Sequence, residues 1–170
     1  MRCVRRFNSN FGKAVFPEPV AKLTPTPRLM GLDNRRMSKS YGNTIDLGEE
    51  PASVEKKVKG MFTDPNRKKR SDPGDPHVCN VWSFHGMLNA KDRVERIEKD
   101  CRTAQIGCVE CKTELAGKML DGLRPLQEKR RELLSHPAKL DAILAAGNER
   151  ARKVAAETMK EVREAVFKVR

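Results

Sequence analysis

The stretch GLDNRRMSKSYGNTI, Gly31 to Ile45, sets Lys39 between two serines and places Gly42 and Asn43 just behind it. Glycine and asparagine let a backbone curl around an anion, and an ammonium on a flexible stem reaches a phosphate as a point charge. Such a loop suits a polyphosphate. In phosphoryl or nucleotidyl transfer the protein mainly positions the phosphates and neutralises the charge that builds on the leaving group. The same composition also describes a solvated basic loop, since Lys, Ser and Gly are ordinary loop residues. Cysteines make the second constellation. Cys79, Cys101, Cys108 and Cys111 follow the spacing C-x21-C-x6-C-x2-C. The two-residue gap of the last pair lets both sulfurs face one metal centre, and Gly107 frees the turn before it. Four thiolates fit zinc or an iron–sulfur cluster; the alternative is four reduced, unliganded thiols, with Cys79 a plain core residue. Cys3 is left over and inert.

The elements that must position these groups fall into three regions. Residues 1 to about 48 carry Pro17, Pro19, Pro25 and Pro27, which forbid a long helix and leave extended segments and loops. VRRFNSNFGKAVF reads as a helix end running into a loop, and VAKLT and NTIDL as short strands or turns. From Pro51 the pattern changes. Val54, Val58 and Met61 fall at helical spacing, with Pro51 suited to a first turn and Thr63–Pro65 as the stop. Residues 65–78 are turn-rich and carry four consecutive basic residues, Arg67 to Arg70, as a loop presenting charge. The remainder is mostly helix. Leu115, Met119, Leu123, Leu126 and Leu133 share one face, with Pro125 expected to kink or divide it. Pro137 opens another helix that Gly147 should stop. Asn148 would then cap a last helix whose apolar stripe runs through Ala151, Val154, Ala155, Thr158, Met159, Val162, Ala165, Val166 and Val169.

The totals bound the class of partner. In 170 residues, 35 Lys and Arg face 23 Asp and Glu, a net charge of +12, which favours nucleotides or nucleic acid. No apolar run approaches the roughly 20 residues that span a bilayer, so no membrane partner is expected. The Arg-rich start superficially suits a mitochondrial presequence but runs straight into patterned sequence, so a cytoplasmic address is the better expectation. Cysteines without a secretory signal point to metal chemistry before disulfides.

At this point the motifs carry a resemblance. Arg36–Ser40, RMSKS, is similar to the KMSKS signature of class I aminoacyl-tRNA synthetases. FNSNFG at Phe7–Gly12, GLDNRRMSKSYGNTI, MFTDP at Met61–Pro65 and the DPGDP run ending at Pro76 resemble, in that order, the tryptophanyl-tRNA synthetases. Tyrosyl enzymes share the first signature but not the TDP and DPGDP run. The C-terminal GNERARKVAAETMKEVREAV also looks like the family's last helix, so the resemblance covers nearly the whole chain.

The resemblance implies a mainly α chain, the C-terminal part of a class I synthetase. Residues 1–48 would be the end of the Rossmann-like catalytic domain with its KMSKS-type loop, and 49–170 a helical anticodon-binding domain with a four-cysteine site. Family enzymes join tryptophan to ATP, with Mg2+, as an adenylate and then pass the amino acid to tRNA(Trp). Lys39 would contact the departing pyrophosphate as the catalytic residue, while Arg36, Met37, Ser38 and Ser40 shape the ATP-binding loop. Two departures stand out: Arg36 replaces the usual first lysine, and Asn34 stands where glycine is common. The family's other signature, of the His-x-Gly-His type, is not found, since His77, His85 and His136 are scattered. The nucleotide fold and tryptophan pocket are therefore expected upstream of Met1, the chain alone inactive in adenylation, and the full-length enzyme a homodimer.

Some bacterial members of the family resemble the cysteine spacing closely and hold a four-iron four-sulfur cluster beside the anticodon-binding region; zinc is the alternative. A centre tied to Cys79, Cys108 and Cys111 would stiffen a long connection and leave Arg102, Lys112 and Lys118 as a basic edge for tRNA phosphates. Arg67–Arg70 reads as a solvated loop before it reads as a tRNA or ATP contact. Trp82, Phe84 and His85 read as core before base-stacking residues, and Glu128–Glu132 as an exposed helix face. The competing function is a helical RNA-binding module with a metal-knit knot and no chemistry of its own.

Overall fold

The computed structural model describes residues 2–24, 26 and 28–167. Pro25, Pro27 and Val169, on which sequence expectations rested, lie outside the described residues. Among the described residues six α-helices carry the fold: α1 (Arg2–Phe11), α2 (Pro51–Lys59), α3 (Asn80–Leu88), α4 (Lys91–Arg102), α5 (Cys108–Leu134) and α6 (Pro137–Phe167). No sheet forms among the described residues. The only strand-like pairing among them is an isolated antiparallel bridge between Met30 and Arg36, so VAKLT and NTIDL are irregular segments and not strands. The chain is mainly helical, as expected.

Two compact units divide it, Met1–Leu23 with Glu132–Arg170, and Thr24–Arg131. In the first, the FNSNFG segment closes on itself. Asn8 donates from Nδ2 to the Phe16 carbonyl at 2.7 Å and accepts from the Phe16 amide at 3.2 Å. Phe7 lies tilted against Phe11 and meets Phe16 edge-on, with ring centroids 4.7 and 5.0 Å away. Gly12, at φ +63°, turns the chain off the end of α1.

The second unit holds the core. Val54 and Val58 of α2, Met61, Val81 and Phe84 of α3, and Leu115, Ala116 and Met119 of α5 pack as one cluster. Each large apolar side chain fully buried there contributes roughly 1.5–3 kcal/mol, enough to fix α2 and α3 against α5. The helix from Pro51 forms where the spacing placed it. It ends at Lys59, a turn before Thr63, because Gly60 takes over the last hydrogen bonds and the Lys112 ammonium caps the Lys59 carbonyl at 2.9 Å.

Three sequence expectations fail in the long helices. Pro125 does not divide α5, which stays helical from Cys108 to Leu134. Gly147 does not stop the helix from Pro137, and Asn148 caps nothing: α6 runs unbroken through both. A single glycine in a helix costs only about 1 kcal/mol, and the alanine-rich turns on either side carry the helix across it. The apolar stripe of α6 is largely uncovered, with Val154 64% and Met159 43% exposed and Ala165 its buried member. Along α5 the stripe likewise opens outward, from buried Leu115 and Met119 to Leu126, which is exposed.

A Cβ added at Gly147 meets nothing within 4 Å. Gly147→Ala should therefore stabilise α6 by about 0.5–1 kcal/mol, read as a higher thermal midpoint of helical circular dichroism. A lower midpoint would mean that the helix breaks at this position.

Candidate active-site loop and cysteine centre

The loop around Lys39 is built on Asn43, which is buried. Its Nδ2 donates to Asp33 Oδ1 at 2.8 Å and to the Arg36 carbonyl at 3.1 Å, while its Oδ1 accepts from the Ser38 amide at 2.8 Å. The backbone joins in, as the Leu32 amide donates to the Asn43 carbonyl at 3.0 Å. One carboxamide thus holds both ends of the segment that carries RMSKS. Gly31 makes room for it: a Cβ there would sit 2.1 Å from Asn43 Nδ2. On the other side of the same residue, Asn80 Nδ2 donates to the Gly31 carbonyl at 2.6 Å, and the Phe62 amide donates to the Leu32 carbonyl at 2.9 Å.

Asn34 has φ +62°, which explains why asparagine can replace the glycine of the family pattern. Asparagine is the side chain that best tolerates left-handed backbone. Arg35 then pairs with Asp33, Nε to Oδ2 at 2.7 Å, and lies 5.5 Å over the Tyr41 ring. The Asn43 hydrogen bond first, and then Arg35, hold the Asp33 carboxyl down to about 2.

Lys39 opens a single 3-10 turn, Lys39–Tyr41, closed by Gly42 at φ +64°. Its side chain is exposed, and among the described residues no hydrogen bond or ion pair engages its ammonium. Ser38 and Ser40 bond to each other, Oγ to Oγ, at 2.8 Å. Met37 anchors the loop against the core cluster, while Arg36 is exposed. The arrangement is a locked base that presents two cations, Lys39 and Arg36, whose side chains have no partner among the described residues.

The four cysteines come from three helices. Cys79 sits at the position just before α3, without a side-chain cap bond, Cys101 lies in the last turn of α4, and Cys108 and Cys111 occupy the first turn of α5. All four are partly buried free thiols. Burial, reinforced by the neighbouring cysteines, pushes the Cys111 thiol up to about 12, and burial raises Cys79 and Cys101 as well. Each of these three is close enough to other cysteines for their charges to oppose its ionisation. No set of three or more His, Cys, Asp or Glu side chains among the described residues is gathered closely enough to hold a metal as it stands. The sulfurs converge without closing on one point.

The loop between α2 and α3 shapes this centre. Asp64 Oδ1 accepts from the Asn66 amide and Oδ2 from the Asp75 amide, both at 2.8 Å, so the TDP and DPGDP motifs are clipped together. Those two amides hold the Asp64 carboxyl below its usual range. The Gly74 amide donates to the Cys101 carbonyl at 3.1 Å, and a Cβ on Gly74 would meet Cys101 Sγ at 2.8 Å. Only glycine leaves that sulfur its space.

Sequence reasoning missed Arg67. Within the basic quartet it alone is partly buried, donating from Nη2 to the Arg70 and Ile106 carbonyls at 2.8 Å each and from Nη1 to Cys101 Sγ at 3.8 Å. It belongs to the cysteine centre; Lys68, Lys69 and Arg70 form an exposed loop, as the charge run implies. A charge run hides such a residue, because only the third dimension separates it from its neighbours. Phe84 and His85 are buried, as core residues are, whereas Trp82 is only partly buried, with its ring edge-on to exposed His77 at 5.1 Å. Of the basic edge, Arg102 is exposed but pairs with Glu98 at 3.1 Å, Lys112 caps α2, and Lys118 is exposed.

A family model described as tRNA synthetases class I (W and Y) matches residues 1–122. The chain belongs to this family. As a class I synthetase chain it is 45% identical over 163 residues to the tryptophan–tRNA ligase of Aquifex aeolicus, covering 95% of this chain and 41% of that one. It is 48% identical over 154 residues to that of Ralstonia nicotianae, with 91% and 38% covered. The Campylobacter jejuni tryptophanyl-tRNA synthetase structure complexed with ADP and tryptophan superposes with a TM-score of 0.77 at 26% identity, over 98% of this chain and 51% of that one. The class I chain thus spans about two fifths to one half of the proteins it resembles.

Asn43→Ala removes three side-chain bonds and should cost roughly 2–3 kcal/mol. It should also return the Asp33 carboxyl from about 2 toward the ordinary carboxylate range. Because the folded-state value is depressed, the contribution of Asp33 to stability is present above the unfolded value and fades as pH falls toward 2. In the variant that acid-side loss should shrink. Carboxyl NMR titration checks it; an unchanged Asp33 midpoint would contradict the role of Asn43.

Proposed function

We propose that this chain is the loop-bearing and tRNA-facing part of a tryptophan–tRNA ligase. The observation that carries the reading is Lys39, an exposed ammonium with no partner among the described residues, on a loop whose base is locked by Asn43. In the proposed reaction the tryptophan carboxylate attacks the α-phosphorus of ATP, forming the adenylate as the bond to pyrophosphate breaks. A terminal ribose hydroxyl of tRNA(Trp) then attacks the acyl carbon and AMP leaves. Lys39 neutralises charge on the departing pyrophosphate, and Mg2+ accompanies the nucleotide. A cation fixed where charge develops lowers the barrier without reorganising at the moment of reaction. Arg36 adds a second positive charge at the loop, and the Ser38–Ser40 pair shapes its tip.

Residues up to 48 then serve the nucleotide, and 49–170 serve the anticodon side of the tRNA, with Arg102 and Lys118 offering cations to phosphate and Lys112 bracing α2. The names of the relatives support tryptophan as the amino acid, and the work would be done in the cytoplasm by a homodimer.

The cysteine centre fits a metal in its donor set. Four soft thiols come from three helices, and Gly74 leaves space beside Cys101 Sγ. Cys79, Cys101, Cys108 and Cys111 would hold a four-iron four-sulfur cluster, with zinc as the other occupant of four thiolates. When bound, the group supplies charge and cross-linking, tying the starts of α3 and α5 to the end of α4. Arg67, beside Cys101, offsets part of the negative charge of the thiolates. An absorbance spectrum of anaerobically purified protein separates the two occupants, since iron and sulfur absorb in the visible and zinc does not.

The test of function is a chimera in which this chain replaces the matching 163 residues of the Aquifex aeolicus ligase. Tryptophan-dependent pyrophosphate exchange should be retained and should fall about 10²-fold with Lys39→Ala, with the KM for tryptophan little changed. Exchange indifferent to that substitution would refute the role of Lys39. Binding of tRNA with no exchange would favour the non-catalytic RNA-binding module.

A further inference from the structure

His85 is fully buried beside the cysteine centre and is unused by the chemistry above. Its two ring nitrogens have different partners. Asn89 lies 2.7 Å from Nδ1 through its Nδ2, and an amide NH2 can only donate, so Nδ1 accepts. The proton must then sit on Nε2. That nitrogen is 3.1 Å from the Cys111 carbonyl and 3.4 Å from Cys111 Sγ. One N–H is therefore shared between the backbone oxygen and the sulfur of the same residue.

The relay is fixed at both ends. Asn89 closes α3, its own amide donating to the His85 carbonyl at 2.9 Å, so the orienting amide and the imidazole are one turn apart on a single helix end. The centre thus has a side-chain donor at Cys111 Sγ, from His85, as well as the Arg67 donor at Cys101 Sγ.

We propose that His85, oriented by Asn89, is a positioning residue for Cys111, whose neutral Nε2–H donates to the Cys111 sulfur and stabilises it as a metal-bound thiolate. The inference rests on the four-thiolate reading of the centre. Loss of an outer partner of this kind typically weakens metal binding by roughly 10–100-fold. An N–H directed at sulfur also lowers the energy of the sulfur electrons, so charge transfer from thiolate to metal requires more energy while the donor is present.

The experiment uses the full 170-residue chain, purified anaerobically, stripped of metal and titrated with Co2+. The wild type should give the absorption of tetrahedral cobalt with thiolate ligands. His85→Phe, which keeps a planar ring and loses the donor, should bind Co2+ at least about tenfold more weakly and shift the charge-transfer bands to longer wavelength. His85→Gln, whose amide can reach the Nε2 position, should restore most of both properties. If His85→Phe does not fold, Asn89→Leu carries the same test, because freeing Nδ1 lets the proton leave Nε2 and should move the bands the same way. Identical bands and affinity in wild type and His85→Phe would overturn the inference. So would equal weakening in Phe and Gln variants with no band shift, which a packing role alone produces. A wild-type chain that gives no thiolate–cobalt absorption would instead remove the four-thiolate reading, and the inference with it.

Discussion

The Gly31 peptide is gripped by two buried carboxamides, and both candidate sites depend on that grip. Asn43 fills the space where a side chain on Gly31 would be, and Asn80 holds the Gly31 carbonyl. Asn43 belongs to the loop, whereas Asn80 opens α3 one residue after Cys79. A buried amide that loses a partner costs about 1–3 kcal/mol, so the two resist being drawn apart. Lys39 stands at the exposed tip of the loop; the base is as fixed as the core beneath it.

Hydrogen bonds of the same kind organise the cysteine centre. Asp64 clips two turns that are eleven residues apart along the chain, which brings Gly74 against Cys101 and the preceding Arg67 into the space between α4 and α5. The contacts are hydrogen bonds to backbone groups and not apolar packing, in keeping with a region whose buried apolar residue from α4 is Ile97. A cross-link at that point would supply what the small local core does not.

Much of this was legible in the sequence because it follows local rules. Pro51 and the spacing of Val54, Val58 and Met61 give α2, and the RMSKS loop and four cysteines are visible by type and spacing. What stayed hidden is set by the third dimension. Nothing in a basic quartet distinguishes Arg67, whose partners at Cys101 and Ile106 lie more than thirty residues away. Asn43 and Asn80 look like ordinary polar residues until the same glycine is found between them. Gly147 and Asn148 misled for the opposite reason: they are good local stop and cap signals, but the helix continues on either side and outweighs them. The α6 stripe shows the limit of periodicity, which specifies an apolar face without specifying what covers it.

The most direct measurement of the central claim is amide hydrogen exchange in Asn80→Ala. This substitution removes the bond to the Gly31 carbonyl without touching the loop itself. If the Gly31 peptide transmits the order of the core to the loop, the Ser38 and Leu32 amides, which donate to the Asn43 side chain and backbone, should lose more protection than the amides of α5. Protection of Ser38 and Leu32 that changes no more than that of α5 would mean the loop holds itself together, and the coupling of the two sites would be wrong.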